Sequence, residues 1–206
     1  MKESRELLLE HPIAQRLADL AGVRHDLLLV IDACDRFLCS PSVGSEDAIL
    51  VSRSLATFAI ITYCRTIASG VRSGITESNL SALTEELKES HIRFKAIRDK
   101  FVAHSVNYFE ENTVQIGLER SGSGDFKLHT IGTTHSRPAT FSKGEMIELK
   151  DLSRRLLSIV DAEYDTENDR VWDFLDALPP SELGQILSPQ KDGEFNPPGR
   201  ARKKFS

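Results

Sequence analysis

Arg98 and His104 stand six positions apart in the stretch AIRDKFVAHS, Ala96 to Ser105, at the end of what reads as a long amphipathic helix. These two residue types cover most of what RNA cleavage without a metal requires. A histidine near its unperturbed pKa of about 6.5 takes the proton from a ribose 2′-hydroxyl or returns one to the leaving oxygen. An arginine, always charged, grips two phosphate oxygens and stabilises the charge that builds on a phosphorane. At about 100° per helical residue, Arg98 and His104 fall on opposite shoulders of the helix's apolar stripe. Such border positions are partly desolvated yet reachable, which suits a tuned histidine. Asp99 is placed to orient one of the pair, or to serve as an ordinary ion-pair residue. The plainer alternative for the pair itself is a solvated arginine and a histidine that meets the helix dipole in the last turn.

The local charge agrees with a polyanionic substrate. Arg93, Lys95, Arg98 and Lys100 face the single acid Asp99 in a chain whose formal net charge is −5. Bulk charge therefore does not favour nucleic acid, and any contact must come from this patch. Arg93, Lys95 and Lys100 are candidate phosphate contacts; a solvated basic face is the alternative. A second arginine and histidine at the same spacing, Arg5 and His11, lie in the initial turn before Pro12 and read as coincidence. The six histidines show neither HExxH nor CxxC spacing, so no metal and no cofactor is expected. Cys34, Cys39 and Cys64, odd in number and set in apolar periodic segments, read as reduced thiols of a cytoplasmic protein. The acidic start and the short Leu7-Leu8-Leu9 run predict no secretory leader. The apolar segment Leu55 to Cys64, bounded by Arg53 and Arg65, is too short for a membrane span and reads as core.

Elements that would position the pair follow from the hydrophobic period. A first helix runs over Leu7 to Leu20, with Pro12 splitting off an initial turn and Gly22 ending it. A second carries Leu27 to Leu38 and stops at the Ser-Pro-Ser-Val-Gly-Ser run. A third, from Ser45-Glu46-Asp47 to Ile67, is apolar almost all round and should be central. The fourth starts near Thr76 or Ser78 and carries Leu80, Leu83, Leu87, Phe94, Ile97 and Phe101. After Tyr108 the period becomes two, through Val114, Ile116 and Leu118, then Ser-Gly-Ser-Gly-Asp, then Phe126 and Leu128 with a continuation to Ile131. A last long helix runs from Met146 through Tyr164, with Trp172, Leu175 and Leu178 extending it or forming a separate piece.

The fold class expected is all-α, an up-and-down helical bundle over residues 1–178 with a β-hairpin, about 113–141, inserted before the last long helix. Pro179-Pro180 should end the order, and residues 179–206, with Arg200, Arg202, Lys203 and Lys204, read as a disordered basic tail. Arg53 and Arg65 either point into a common groove or anchor loops; His129 and His135 flank the second strand and should be exposed; Trp172 should be a core or subunit contact.

Arg98-Asp99-Lys100-Phe101-Val102-Ala103-His104, a polar residue after the arginine and small or apolar residues leading to a histidine at the end of a bundle helix, resembles the RxxxxxH motif of the HEPN superfamily. The resemblance implies a compact helical bundle, often dimeric. It implies a metal-independent endoribonuclease of toxin–antitoxin, abortive-infection or other defence systems, with Arg98 and His104 catalytic and an antitoxin protein among its partners. Other members have lost activity and serve as binding or scaffold domains, so a non-catalytic module that binds a nucleotide, RNA or a protein is the alternative. A third reading makes the hairpin the working part of an interaction protein. The inserted hairpin departs from the simplest family pattern. Twofold symmetry would double the set of proton-transfer groups around one groove, so a homodimer is expected with its axis near the Arg98–His104 edge.

Overall fold

A computed structural model describes residues 7–40, 45–67, 72–99, 111–120, 126–136 and 141–189. These residues are mainly helical, with two small antiparallel sheets, so the chain is broadly all-α. The order is β1 (Leu7–Leu9), a 3-10 turn (Pro12–Ala14), α1 (Gln15–Cys39), α2 (Glu46–Ile67), α3 (Glu77–Ser81), α4 (Glu85–Ile97), β2 (Glu111–Arg120), β3 (Phe126–Ser136), α5 (Lys143–Asp176), α6 (Pro180–Ile186) and β4 (Leu187–Pro189).

The centre of the helical body is α1, not α2. Leu20, Val23, Leu27, Val30 and Phe37 of α1 pack between Ala56, Ala59, Ile60 and Tyr63 of α2 on one side and Met146, Leu149, Leu152, Leu156 and Val160 of α5 on the other. Helix α2, expected at the centre because it is apolar all round, is covered on one face only. Leu50, Val51, Phe58 and Ile61 on its other face are exposed. Among the described residues α2 is the one helix long and apolar enough to cross a membrane by length and composition, and a third of its most apolar window is buried.

Gly22 does not end a helix. The first two expected helices are a single α1 of 25 residues, preceded by β1 rather than by helical turns. The missing side chain has a packing use instead: a Cβ at Gly22 would come within 2.8 Å of the Arg72 guanidinium. Arg72 is fixed there by a 2.7 Å ion pair to Asp26, which is buried on α1 and also has Arg65 at 3.7 Å. The Arg65 side chain thus reaches α1, while its carbonyl oxygen accepts from Arg72 at 3.2 Å. Asp19, also buried on α1, accepts from the Ser73 backbone at 3.0 Å, so two α1 carboxylates tie this segment down.

The fourth expected helix is two. Thr76 caps α3 in a reciprocal box with Asn79, and Thr84 accepts from the Leu87 N–H to start α4. Each threonine offers the backbone a local alternative to a continuous helix. The last helix, α5, is continuous for 34 residues from the Ser142–Glu145 capping box onward, and Trp172 on it is 69% exposed, hence not core. Pro179-Pro180 does not end the order. Pro180 opens α6 at the position where a missing N–H costs nothing, and β4 then pairs antiparallel with β1, Leu8 opposite Ser188. Residues 190–206, the rest of the expected tail, lie outside the described residues.

Strands β2 and β3 pair antiparallel, Ile116 opposite Ile131 and Leu118 opposite Leu128, with an irregularity after Gly117. That irregularity leaves His129 without an opposite number, and it restores Phe126 and Leu128 to the face that carries Ile131 despite the odd spacing.

Candidate functional site

Helix α4 carries the described part of the site. Its first turn is acidic, Glu85 and Glu86, and its last turn basic, the distribution that suits the helix dipole. Phe94 is its one fully buried side chain, lodged edge-on to Tyr63 of α2 at 6.5 Å between ring centres. Arg98 caps the helix with a right-handed backbone, its N–H bonded to the Phe94 and Lys95 carbonyls.

At 3.6 residues per turn, His91, Lys95 and Arg98 fall within about 60° of one another, on one shoulder of the buried stripe. Arg93 lies more than about 130° from Lys95 and Arg98 by the same geometry. Its guanidinium pairs with Glu148 of α5 and stands 5.1 Å over the Phe94 ring. Of the expected phosphate contacts, Arg93 is thus engaged in holding α4 to α5, whereas Lys95 is exposed beside Arg98. Arg98 donates to Asp99 at 2.9 Å, and this hydrogen bond, foremost, raises the arginine's pKa. Asp99 is thus in contact with Arg98, an arrangement common to both of its expected roles, orienting residue and ordinary ion pair. Lys100 and His104 lie outside the described residues.

The sequence reading passed over His91. Its Nδ1 and the hydroxyl of the buried Tyr63 share a 2.7 Å hydrogen bond. In either direction this bond occupies Nδ1 and leaves Nε2 as the ring's outward nitrogen. Partial burial, and then the nearby Lys95 charge, lower the His91 pKa against the opposing pull of Glu77. At neutral pH the imidazole is therefore uncharged. The signal was available in the seven-residue spacing from His91 to Arg98, two helical turns, but the tyrosine comes from another helix and no local pattern announces it.

Cys64 of α2 lies close to the same end of α4. Burial pushes its thiol up to about 11 against the pull of Arg98 and Lys95, and burial pushes Cys34 up to about 12, so neither is a thiolate nucleophile at neutral pH. All three cysteines are free, and Cys39 is exposed.

The other candidates have structural employment. The His11 imidazole accepts from the Ile13 N–H at 3.2 Å and stacks on Phe174, which makes it a cap. Arg5 is outside the described residues. His129 is exposed, 3.6 Å from Glu119. An open groove between the start of α1 and the middle of α5 is lined by Arg16, Arg155, Glu163 and Glu167, and its charges are largely paired within the fold, Arg16 with Glu163 and Glu167 with Arg170. Among the described residues no three His, Cys, Asp or Glu side chains converge as a metal site would require.

Comparison with protein-family models, with curated proteins and with solved structures returns no match to this chain.

Proposed function

We propose that the chain is a HEPN-type, metal-independent endoribonuclease that serves as a toxin or defence effector in the cytoplasm. The observation that carries the reading is the α4 shoulder on which Lys95 and Arg98 project side by side next to a neutral histidine. RNA lies along that shoulder. Arg98 grips the scissile phosphate, and His104 transfers protons. The base takes the proton of the ribose 2′-hydroxyl, that oxygen attacks phosphorus, and the 5′-oxygen leaves with a proton from the acid, giving a 2′,3′-cyclic phosphate and a 5′-hydroxyl. Lys95 and Lys100 hold neighbouring phosphates.

The active form is a homodimer whose twofold axis passes near the Arg98–His104 edge, so that base and acid come from two copies of one histidine. An antitoxin protein would act by covering this edge.

A second reading, a non-catalytic module that binds RNA or protein through the same face, draws on the Arg98–Asp99 pair, because a guanidinium already matched by a carboxylate gives less to a phosphorane. Incubation of the purified chain with single-stranded RNA in EDTA separates the two. Cleavage to cyclic-phosphate ends supports the enzyme, and binding without cleavage supports the module.

A further inference from the structure

We propose that the β2–β3 hairpin packs through one face on the same face of a second copy of the chain, and that this contact holds the dimer. The proposal stands whether or not the chain cleaves RNA, because it rests on the hairpin alone.

In the paired register, Val114, Ile116 and Leu118 of β2 share a face with Ile131, Leu128 and Phe126 of β3. All six are between 59% and 67% exposed. The opposite face carries Gln115, Glu119, Lys127 and Thr134, the composition of a surface that stays in water. The six gather on one face only because of the irregularity after Gly117, without which Phe126 and Leu128 would turn to the polar side. A sequence that uses a bulge to collect six large apolar side chains on one exposed face of a two-stranded sheet has built a face to be covered. A lone hairpin in water is marginal, and covering one face supplies what it lacks.

The area fits a second copy. Six such side chains at this exposure offer roughly 600 Å² per chain, near the ~800 Å² per partner of a standard interface. That is the top of the ~300–600 Å² that the largest apolar patch of a typical monomer covers. The chemistry fits as well. Between Val114 and Leu118 the face carries no charge, only Thr133 interrupts it with a hydroxyl, and Arg120 sits at one end, 5.8 Å over the Phe126 ring. An uncharged face of β-branched and aliphatic side chains meets its own twofold image without opposing like charges, and two such sheets stack about 10 Å apart.

Sedimentation equilibrium or light scattering on the full chain tests this. The wild type is expected at twice the 23.0 kDa chain mass. Ile116→Lys combined with Leu128→Lys should return it to one chain mass with the helical circular dichroism unchanged, and Gln115→Lys, on the polar face, should leave it at two. In a Cys39→Ser background, Ile116→Cys and Ile131→Cys should cross-link under mild oxidation faster than Gln115→Cys. A single-chain mass for the wild type at about 100 µM overturns the proposal, and so does a dimer that survives the double lysine variant or equal cross-linking from both faces. If the single-chain wild type pellets with phosphatidylcholine vesicles and the lysine variant does not, a lipid surface is the occupant instead.

Discussion

Lys95 and Arg93 are two residues apart on α4, both basic and both exposed, yet the proposed function and the structure together give them opposite work, so alanine substitutions should exchange their effects. Lys95 faces the proposed RNA with Arg98, whereas Arg93 is matched by Glu148 and lies over Phe94. Each phosphate contact on a single strand adds about −0.7 to the slope of log affinity against log salt. Lys95→Ala should make that slope shallower by about 0.7, so that raising salt from about 50 to about 200 mM weakens the variant about 2.6-fold less than the wild type. Arg93→Ala should leave the slope unchanged. Its cost appears in stability. Both ends of the Arg93–Glu148 pair are almost half exposed, so after screening the pair contributes only a few tenths of a kcal/mol, and the stacking on Phe94 brings the total to about 1 kcal/mol. For a chain of this size that lowers the Tm by about 2–4 °C. Lys95→Ala should leave the Tm in place. The assay is fluorescence anisotropy on a 2′-O-methyl oligonucleotide, which cannot undergo 2′-hydroxyl attack, run over a salt series beside thermal unfolding. Equal changes of slope for the two variants would refute the division of labour on α4, and a wild-type affinity indifferent to salt would refute the RNA face altogether.

Arg98→Ala and His104→Ala should each reduce RNA cleavage by at least about a hundredfold with added EDTA making no difference, whereas His11→Ala should lower stability by about 1 kcal/mol through loss of its cap and leave cleavage intact; persistence of cleavage in either of the first two variants defeats the catalytic assignment. Because the folded His91 pKa is lowered, the unfolded chain takes up this proton first as pH falls, so the stabilisation from neutral His91 is complete above about 6.5 and is lost as pH drops through the folded value. Urea unfolding of the wild type should therefore lose more stability between pH 7.5 and 5 than that of His91→Gln, which keeps a partner for Tyr63; parallel losses would show that His91 does not titrate in that window. Asp26→Ala leaves Arg72 without the buried carboxylate that fixes it beside Gly22 and should cost about 3 kcal/mol in chemical denaturation, with a loss below 1 kcal/mol contradicting the clamp.

Helical content was legible because periodicity and caps are local. Ser142 with Glu145 and the turn residues after Cys39 say where helices start and stop without reference to the rest of the chain. What was illegible depends on partners distant in sequence. Gly22 looks like a stop signal until Arg72 fills the space beside it, fifty residues on. Leu7-Leu8-Leu9 looks like the start of a helix until Leu187–Pro189 pairs with it from the other end of the chain. The apolar circumference of α2 implied a central helix, but burial depends on what lies alongside, and α1, with apolar residues enough for both neighbours, took that place. At the site, Lys95 and Arg98 could be put on one shoulder from spacing alone. The engagement of Arg93 by α5 and the Tyr63–His91 bond are tertiary facts, and neither leaves a mark on the local pattern.

Helix α4 is held to the body by few contacts, and those contacts decide what its outer face can do. Of its side chains only Phe94 is fully buried, whereas α1 buries nine residues. A helix held so lightly belongs to the low end of local stability unless polar contacts supplement the apolar one. Two such contacts flank Phe94, the Arg93–Glu148 pair toward α5 and the Tyr63–His91 bond toward α2. They fix the rotation of α4 about its own axis, and rotation is the variable that points Lys95 and Arg98 at a common substrate or separates them. Anchorage by His91, Arg93 and Phe94 and exposed charge on Lys95 and Arg98 thus come from one short segment. For the proposed RNA face this anchorage matters, because rotating α4 by about half the 100° between successive residues would turn Lys95 and Arg98 away from successive phosphates.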